Sequence, residues 1–458
     1  MSGGAGIDIE ELTDWLIRRR WFASKARELS RIEVTHVPLD DSGSARLRIA
    51  LVEVHFEGGA PEIYQVPIAI GDGDLPEDAR IAATDDGAAA YDLLAERRDP
   101  PRLLELIAAG GEVASDDGRV VFAWREGAAP PPPGAGARPI SSEQSNSSVI
   151  FGENAILKAY RRVEPGLNPE LEMLRFLTDR GFRHIPELLG WYEYEGRPAD
   201  ATLGVVQEFI ADGRDGWEMV LDGLAGDPDS LLEPLRTLGR TVGEMHTALA
   251  GDPGAPDFAP EERGNESLAL YAASLDESIE RAFLDLPEDE RLEPIARRGE
   301  ELRDQLRELA GIGGAGMAIR IHGDLHLGQV LRSDRGWTIL DFEGEPARSL
   351  AERRTKFSPL RDVAGMLRSL AYAPLAARLQ RDADPPAEWE ESARARFLDG
   401  YLDAIDPALL PETRREIDGL LAIHELEKAV YELNYELNHR PDWVGIPVAG
   451  ITRLLETV

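Results

Sequence analysis

The spacing of apolar residues changes near residue 210, and this change constrains the fold more than any other feature of the sequence. Before it, apolar and polar residues alternate in short runs such as 44–55 and 63–70, the pattern of half-buried strands. After it, apolar residues recur at helical spacing in the segments 217–223, 230–249, 264–284, 286–310, 359–380, 388–404 and 411–438. The sequence therefore predicts an α+β protein with a smaller lobe of antiparallel sheet and a larger, mostly helical lobe.

Three subdomains are predicted along the chain. Residues 1–90 combine one short helix with strand-like runs and are expected to form an N-terminal α+β subdomain. Residues 91–209 are expected to complete the smaller lobe, and residues 210–458 to form the helical lobe. Residues 89–108 have helical periodicity, whereas 128–137 is rich in proline and glycine and predicts a surface loop.

Charge and residue usage exclude several classes of function. The formal net charge is −35, and a field of that sign repels nucleic acids and anionic membranes. The chain contains no cysteine, which excludes disulfides, thiolate metal sites and cysteine nucleophiles. No run approaches the roughly 20 apolar residues of a membrane span, and the N-terminus lacks the pattern of a signal peptide. We therefore expect a cytoplasmic protein that binds neither nucleic acid nor membrane.

The densest chemistry lies in the segment Arg320–Gln329 and in the strand-like run that ends at Asp341. Phosphoryl transfer needs a residue that orients the acceptor hydroxyl, together with ligands for Mg²⁺. Asp324, in a His-Gly-Asp loop, can accept the hydroxyl proton. Gln329 and Asp341 offer hard oxygen ligands of the kind that Mg²⁺ takes. The offset from Asp324 to Gln329 equals that of the protein-kinase catalytic loop, where the second residue is asparagine. We therefore predict Asp324 as catalytic, and Gln329 and Asp341 as metal ligands.

A phosphotransferase also needs a cation for the phosphates of ATP. Lys158 lies in the strand-like run 155–160 and is one of only four lysines among 50 basic residues. A lysine in a chain that otherwise uses arginine suggests a need for a compact ammonium group. Glu170 and Glu172 open the next helix, and Glu172 is the favoured partner of Lys158.

The chain has no glycine-rich phosphate loop. The turn 143–148 stands in its place, and its Ser145 and Ser147 are predicted to offer hydroxyl and N–H groups to phosphate. The adenine is expected at the connector between the lobes, through backbone hydrogen bonds at Gln207, Glu208 and Phe209.

The predicted helix 411–438 has a face that is both polar and aromatic. This face follows the i, i+3, i+4, i+7 rule and consists of Lys428, Tyr431, Glu432 and Tyr435. Sugars bind to aromatic faces and convergent polar groups, so the face is predicted to be a sugar platform. His326 and Glu343 are expected to shape the acceptor end, with His326 orienting Asp324. Arg353 is a candidate to neutralise phosphate or to pair with a carboxylate.

Together these motifs resemble the bacterial maltokinases, within the wider aminoglycoside-phosphotransferase-like clan of protein-kinase-like fold. The resemblance covers nearly the whole chain and rests on the segments Trp21–Glu28, Glu143–Phe151, Ile156–Arg162, His322–Gln329, Asp341–Pro346, Glu352–Arg354, Ser358–Ser369, Glu425–Glu436 and His439–Trp443. It implies an N-terminal cap and the phosphorylation of maltose by ATP with Mg²⁺ at the anomeric hydroxyl, which gives maltose 1-phosphate for glycogen or α-glucan synthesis. A trehalose-converting enzyme is a possible partner.

Other functions stay open. A kinase of the same fold that acts on glucosamine is compatible with the 85 acidic residues of the chain. An aminoglycoside-resistance kinase fits the N-terminal and C-terminal motifs less well. A non-catalytic scaffold is disfavoured because Asp324, Gln329, Asp341 and Lys158 are all present. A glycoside hydrolase would need a carboxylate pair at a defined distance, which a sequence does not reveal.

Overall fold

The structure is a computed structural model that describes residues 6–43, 45–71, 79–95, 100–132, 135–140, 145–284, 286–311 and 314–456. The chain divides into two compact units. The N-terminal unit consists of Met1–Thr178 and Pro186–Ala211, and the C-terminal unit of Asp179–Ile185 and Asp212–Val458.

The first sheet of the N-terminal unit is antiparallel, in the order β1-β2-β3-β5-β4. Its strands are β1 (Leu29–Asp40), β2 (Arg46–Phe56), β3 (Glu62–Gly71), β4 (Arg80–Ala83) and β5 (Ala89–Asp92). The central strands β2 and β3 are buried on both faces. Because alternate residues of a strand point to opposite faces, one face packs with helix α1 (Ile9–Ile17) and the other joins an apolar cluster shared with a second sheet.

The second sheet has the order β6-β7-β12-β13-β10-β9-β8. Its strands are β6 (Gly111–Ala114), β7 (Gly118–Trp124), β8 (Ala137–Ile140), β9 (Asn146–Phe151), β10 (Ala155–Tyr160), β12 (Leu188–Gly196) and β13 (Ala201–Glu208), with helices α2 (Pro100–Ala109) and α3 (Pro169–Asp179). Strand β11 (Arg162–Val163) pairs with β3 of the first sheet instead.

A buried glutamine joins the two sheets. The side-chain Nε2 of Gln65, on β3, donates to the carbonyl oxygen of Tyr160 at 3.0 Å and to that of Leu203 at 2.7 Å. Its Oε1 accepts from the hydroxyl of Tyr192 at 2.8 Å. We call this set of hydrogen bonds the Gln65 seam; it satisfies every polar group of a fully buried amide.

The C-terminal unit is mostly helical. Its helices are α4 (Gly216–Ala225), α5 (Leu232–Leu249), α6 (Asn265–Leu284), α7 (Gly299–Gly311), α8 (Leu350–Arg353), α9 (Leu360–Arg381), α10 (Trp389–Ala404), α11 (Arg414–His439) and α12 (Gly445–Glu456). Strands β14 (Arg214–Asp215), β17 (Val330–Ser333) and β18 (Gly336–Ile339) form one small sheet, and β15 (Glu261–Glu262) pairs with β16 (Met317–Ala318). Helices α5 and α10 touch at Gly239 and Gly400, where an added Cβ would lie 1.9 Å from a carbonyl oxygen of the facing helix.

These elements confirm the predicted α+β class, although two predicted helices are shorter than expected. The first residues of 89–108 form strand β5, because pairing with β3 and burial override local propensity. The first half of 286–310 contains Pro294 and Gly299, and α7 begins only at Gly299. Within the described ranges, no helix has the length and apolar content that crossing a bilayer requires.

Candidate active site

Asp362, on α9, holds the backbone of the loop that leads to Asp324. Its two carboxylate oxygens accept the N–H groups of His322 at 2.7 Å and of Gly323 at 2.8 Å. Gly323 has a φ of +87°, a conformation that glycine adopts without strain. On the other side of the loop, His322 Nε2 lies 2.7 Å from the carbonyl oxygen of Leu340. The loop is therefore fixed from two sides.

Behind Asp362 lies a buried polar chain that sequence reasoning did not identify. His246 Nε2, on α5, is 3.1 Å from Asp362, and His246 Nδ1 is 3.1 Å from the hydroxyl of Tyr401 on α10. Burial alone would raise the pKa of Asp362, but the hydrogen bond and charge of His246 and the loop N–H groups together lower it. Asp362 is therefore ionised at neutral pH. The only signal in the sequence was an aspartate inside an apolar helical segment.

Asp324 is paired with a lysine from a distant part of the chain. Lys428 Nζ, on α11, lies 3.3 Å from Asp324 Oδ1. Burial lowers the pKa of Lys428, but the carboxylates of Asp324, Glu345 and Glu432 outweigh burial and raise it. The structure thus brings together the predicted catalytic aspartate and a residue of the predicted sugar platform.

His326 is held by its own loop. Its Nδ1 accepts the N–H of Gly328 at 3.1 Å and caps the short turn Leu327–Gln329. Burial lowers the pKa of His326, and the nearby carboxylate of Asp324 only partly opposes this. The imidazole is therefore neutral at pH 7, with its proton on Nε2. Its hydrogen bond goes to Gly328 rather than to Asp324, so the expected orienting contact is not formed.

Gln329 and Asp341 form an adjacent pair at the base of the β17–β18 hairpin. Gln329 Nε2 donates a hydrogen bond to Asp341 Oδ2 at 2.9 Å. The amide oxygen of Gln329 can therefore serve as a metal ligand. Asp341 has a φ of +60°, a strained conformation for a residue with a side chain and one that clusters at functional sites. A carboxylate beside an amide oxygen is a donor set that fits Mg²⁺ bound with a nucleotide phosphate.

Glu343 and Arg353 lie together in the segment after Asp341. Arg353 Nη1 donates to the carbonyl oxygen of Glu343 at 3.2 Å. Among the residues that the structure describes, neither lines the cleft beside Asp324. The proposed roles of Glu343 at the acceptor end, and of Arg353 at phosphate or at a carboxylate, therefore stay predictions.

A cleft of about 830 Å³ opens beside Asp324. Helix α11 contributes Lys428, Tyr431, Glu432 and Tyr435 to its lining, at the predicted spacing. Tyr431 and Tyr435 are 47% and 41% exposed, and their rings are stacked with centroids 6.4 Å apart. Large aromatic side chains left exposed in a cleft offer apolar faces to a ligand.

Glu432 is a fixed part of this lining. Both Nε and Nη2 of the buried Arg368 donate to its Oε2, at 3.0 Å and 2.6 Å. The carboxylate therefore keeps one orientation in the cleft.

Sequence reasoning missed a second aromatic part of the cleft lining. There the rings of Tyr372 and Trp443 stack with centroids 6.3 Å apart. Arg440 lies over the ring of Trp443 and donates to Glu436 Oε1 at 2.7 Å, and the hydroxyl of Tyr372 donates to the same oxygen at 3.1 Å. Trp443 follows the end of α11, so helical periodicity could not place it.

In the N-terminal unit, Lys158 lies on β10 and its Nζ is 2.9 Å from Glu170 Oε2. Tyr160, on the same face of the strand, donates its hydroxyl to that oxygen at 2.8 Å. The side chain of Asn168 accepts the N–H of Glu170 at 2.8 Å and thereby fixes Glu170 in the first turn of α3. The structure gives the pairing role to Glu170, which corrects the preference for Glu172.

The hydroxyl-rich turn is described only in part, because Glu143 and Gln144 lie outside the described residues. Ser145 is exposed just before β9. Ser147 Oγ accepts from Arg161 Nε at 2.7 Å, and Arg161 also donates to Asp92 at 2.6 Å. Ser147 is thus tied to a buried ion pair, whereas Ser145 faces solvent.

At the predicted adenine connector, Gln207 and Glu208 end strand β13. The N–H of Glu208 donates to the carbonyl oxygen of Glu187 at 2.9 Å, and the N–H of Phe209 donates to that of Asn154 at 3.0 Å. A purine bound at Glu208 and Phe209 would therefore have to use their carbonyl groups.

Known proteins match this chain over most of its length. Residues 15–95 match the maltokinase N-terminal cap domain, and residues 136–345 match the phosphotransferase enzyme family. A glucosamine kinase of Streptacidiphilus jiangxiensis is 30% identical over 357 residues, which are 75% of this chain and 78% of the relative. A glucosamine kinase of Mycolicibacterium smegmatis is 32% identical over 347 residues, 70% of this chain and 80% of the relative.

The fold also occurs in a solved structure. A glucosamine kinase in complex with glucosamine, ADP and inorganic phosphate has a TM-score of 0.70 to this chain at 23% identity, covering 96% of this chain and 98% of that one. These matches confirm the resemblance carried by the motifs and the protein-kinase-like fold class. The chain therefore belongs to the phosphotransferase enzyme family, in the group that carries a maltokinase N-terminal cap domain, and is a sugar kinase that uses ATP and Mg²⁺.

Proposed function

We propose that this enzyme transfers the γ-phosphoryl group of ATP to the anomeric hydroxyl of maltose and forms maltose 1-phosphate for glycogen or α-glucan synthesis. The observation that carries the proposal is the row of side chains on α11 that begins at Lys428, beside Asp324, and continues through Tyr431 to Tyr435. From Lys428 to Tyr435 a helix rises about 10 Å, which is room for two pyranose rings in succession. The exposed tyrosine rings would pack against the apolar faces of the sugars.

On the acceptor side, Asp324 accepts the proton of the attacking hydroxyl, as general bases do in this type of transfer. Lys428 holds the carboxylate of Asp324 in place. The neutral His326 offers its Nε2–H to the cleft that it lines. Glu432, fixed by Arg368, accepts hydrogen bonds from sugar hydroxyls.

On the donor side, Lys158 is the cation that contacts the phosphates, and Glu170 keeps its ammonium group in place. Gln329 and Asp341 would hold Mg²⁺, which would neutralise charge on the transferred group. Ser145 is proposed to contact phosphate, and the connector at Gln207 to contact adenine.

Glucosamine is the second candidate acceptor. The two curated relatives described above are named glucosamine kinases. The cleft also has more carboxylates than cations in its lining, which suits a cationic amino sugar. The carboxylates are Asp215, Glu218, Asp324, Glu345, Glu432 and Glu436, and the cations are Lys428 and Arg440.

A coupled ADP-release assay with ATP and Mg²⁺ separates these acceptors. We expect strong turnover with maltose and little with glucosamine, glucose or kanamycin. Turnover with glucosamine alone would leave the catalytic assignments unchanged but would identify glucosamine, not maltose, as the acceptor. The maltose proposal further implies a cytoplasmic enzyme and a trehalose-converting enzyme as the partner that supplies its substrate.

Replacing Tyr435 with alanine should raise KM for maltose by roughly 3- to 10-fold, because one aromatic contact contributes on the order of 1 kcal/mol. The KM for ATP should not change. Tyr435→Phe keeps the ring and serves as the matched control, with kinetics close to wild type. Equal losses in both variants would mean that the hydroxyl rather than the ring face binds the acceptor.

Replacing Lys158 with methionine should lower kcat/KM for ATP by roughly 100-fold or more, because the side chain keeps its length but loses the charge opposite the phosphates. Steady-state kinetics at varied ATP measures this loss. Lys25→Met, at an exposed lysine of the N-terminal unit, should be indistinguishable from wild type. Wild-type kinetics in Lys158→Met would exclude Lys158 from the nucleotide site.

A further inference from the structure

Glu427 contacts side chains from three other segments of the C-terminal unit. It is the neighbour of Lys428 on α11. Arg361, on α9, donates its Nη2 to Glu427 Oε1 at 3.0 Å, and Tyr271, on α6, donates its hydroxyl to Glu427 Oε2. Arg348, from the loop after Asp341, places its Nη2 3.5 Å from Glu427 Oε1. We call Glu427, Arg361, Tyr271 and Arg348 the Glu427 clamp.

Arg348 connects the clamp to the acceptor cleft. Its Nε donates to Glu345 Oε2 at 2.9 Å, and its backbone N–H donates to the carbonyl oxygen of Glu345 at 3.0 Å. Arg348 therefore closes a tight loop on Glu345. Glu345, Pro346 and Ala347 all line the cleft beside Asp324. The shape of this wall consequently depends on where Arg348 is held.

The clamp also lies directly behind the catalytic aspartate. A small cavity of about 90 Å³ has Asp324, Glu345, Arg348, Glu427 and Lys428 in its lining. Burial raises the pKa of Glu427, but the guanidinium groups of Arg361 and Arg348 and the hydrogen bond from Tyr271 outweigh burial and lower it. Glu427 is therefore a carboxylate at neutral pH. The hydrogen bond from Arg361 is of the strong, charge-assisted kind, and Arg348 adds an ion pair at 3.5 Å.

We infer that Glu427 is a positioning residue for the sugar acceptor. Glu427 does not line the cleft at Asp324; it acts through Arg348, which fixes the wall formed by residues 345–347. It also anchors the turn of α11 from which Lys428 reaches Asp324. The inference rests on the proposed function, in which a sugar binds in this cleft.

The test compares Glu427→Gln with Glu425→Gln. Glu425 is a matched control because it is also on α11 and also forms an arginine pair, with Arg394 of α10 at 2.7 Å and 2.9 Å, but it does not line the cleft. The first readout is hydrogen exchange of the backbone amides of residues 344–349, which needs no sugar. The second is the kinetics of ADP release with varied sugar and varied ATP.

We expect Glu427→Gln to raise amide exchange in residues 344–349 and to raise KM for the sugar by roughly 10-fold, as expected for the loss of one positioning interaction. The KM for ATP should stay near the wild-type value. Glu425→Gln should change neither readout. Should Glu427→Gln fail to fold, Arg348→Gln carries the same two expectations, because it removes the same link from the loop side.

Unchanged exchange in residues 344–349 overturns the inference, and so does raised exchange with an unchanged KM for the sugar. The same shift in Glu425→Gln also overturns it, because a general loosening of α11 would then explain the result. If the wild-type enzyme uses none of the four sugars, the proposed function fails. The exchange readout alone then decides whether Glu427 holds the loop.

Discussion

The variant Asp324→Asn should lose turnover by about 10²- to 10⁴-fold, the range expected when a general base is removed. Asparagine keeps the shape of the side chain but cannot accept the proton of the sugar hydroxyl. Lys428 also loses the negative partner that lies 3.3 Å from its Nζ in the native enzyme. Because Lys158, Gln329 and Asp341 are untouched, the KM for ATP should stay close to wild type. Coupled ADP release with the sugar that the wild-type enzyme uses measures both quantities.

The control for this variant is Asp334→Asn. Asp334 is exposed and lies in the turn between β17 and β18, a few residues from the loop that carries Asp324. The substitution is chemically the same as in Asp324→Asn. It should keep wild-type kinetics, and both variants should keep the wild-type melting temperature. Full activity in Asp324→Asn would show that another group accepts the proton and that the catalytic assignment is wrong.

The variant Asp362→Ala should lose about 2–5 kcal/mol of unfolding free energy, because each buried donor left without an acceptor costs about 1–3 kcal/mol. The change leaves His246 and the N–H groups of His322 and Gly323 without their acceptor. Activity should fall as well, because these N–H groups hold the loop that carries Asp324. Urea denaturation measures the stability loss. Asp399→Ala, at an exposed position of α10, should shift stability by less than about 0.5 kcal/mol.

The stability difference between wild type and Asp362→Ala should depend on pH in one direction. The pKa of Asp362 is lowered in the folded state, so its ionisation stabilises the fold fully above the ordinary aspartate pKa of 3.8. The contribution is lost as pH falls through the folded-state pKa. The difference should therefore be constant near neutral pH and shrink in acid. A difference that grows in acid would mean that Asp362 is protonated in the native protein.

Local patterns carried most of what could be predicted about this fold. Helix α11 and its polar and aromatic face follow from spacing alone, because side chains three, four and seven residues apart share a face. Gln329 and Asp341 meet because a short hairpin separates them. The pairing of Lys428 with Asp324 joins residues 104 positions apart. The sequence could assign both residues to the acceptor site, but it could not predict that their side chains are in contact.

The parts that could not be predicted depend on tertiary packing. In the sequence, Asp362 and His246 look like ordinary polar residues of helices. Only the packing of α5, α9 and α10 brings them together behind the loop that carries Asp324. The choice of Glu170 over Glu172 depends on which side of the first turn faces β10. The hydrogen bond from Arg353 to the backbone carbonyl of Glu343 likewise depends on how the loop folds. Such choices are set by geometry that residue types do not specify.

The Gln65 seam has a consequence for how the protein is made. Gln65 reaches acceptors 95 and 138 residues further along the chain. The cap sheet emerges early from the ribosome, but it cannot complete its hydrogen bonds until the synthesis of residues up to Leu203 is finished. Contacts across such sequence separations form slowly, so one face of the nascent cap sheet is exposed for much of translation. A shortened chain that begins after the cap would in turn leave two buried carbonyl groups, at Tyr160 and Leu203, without their donor.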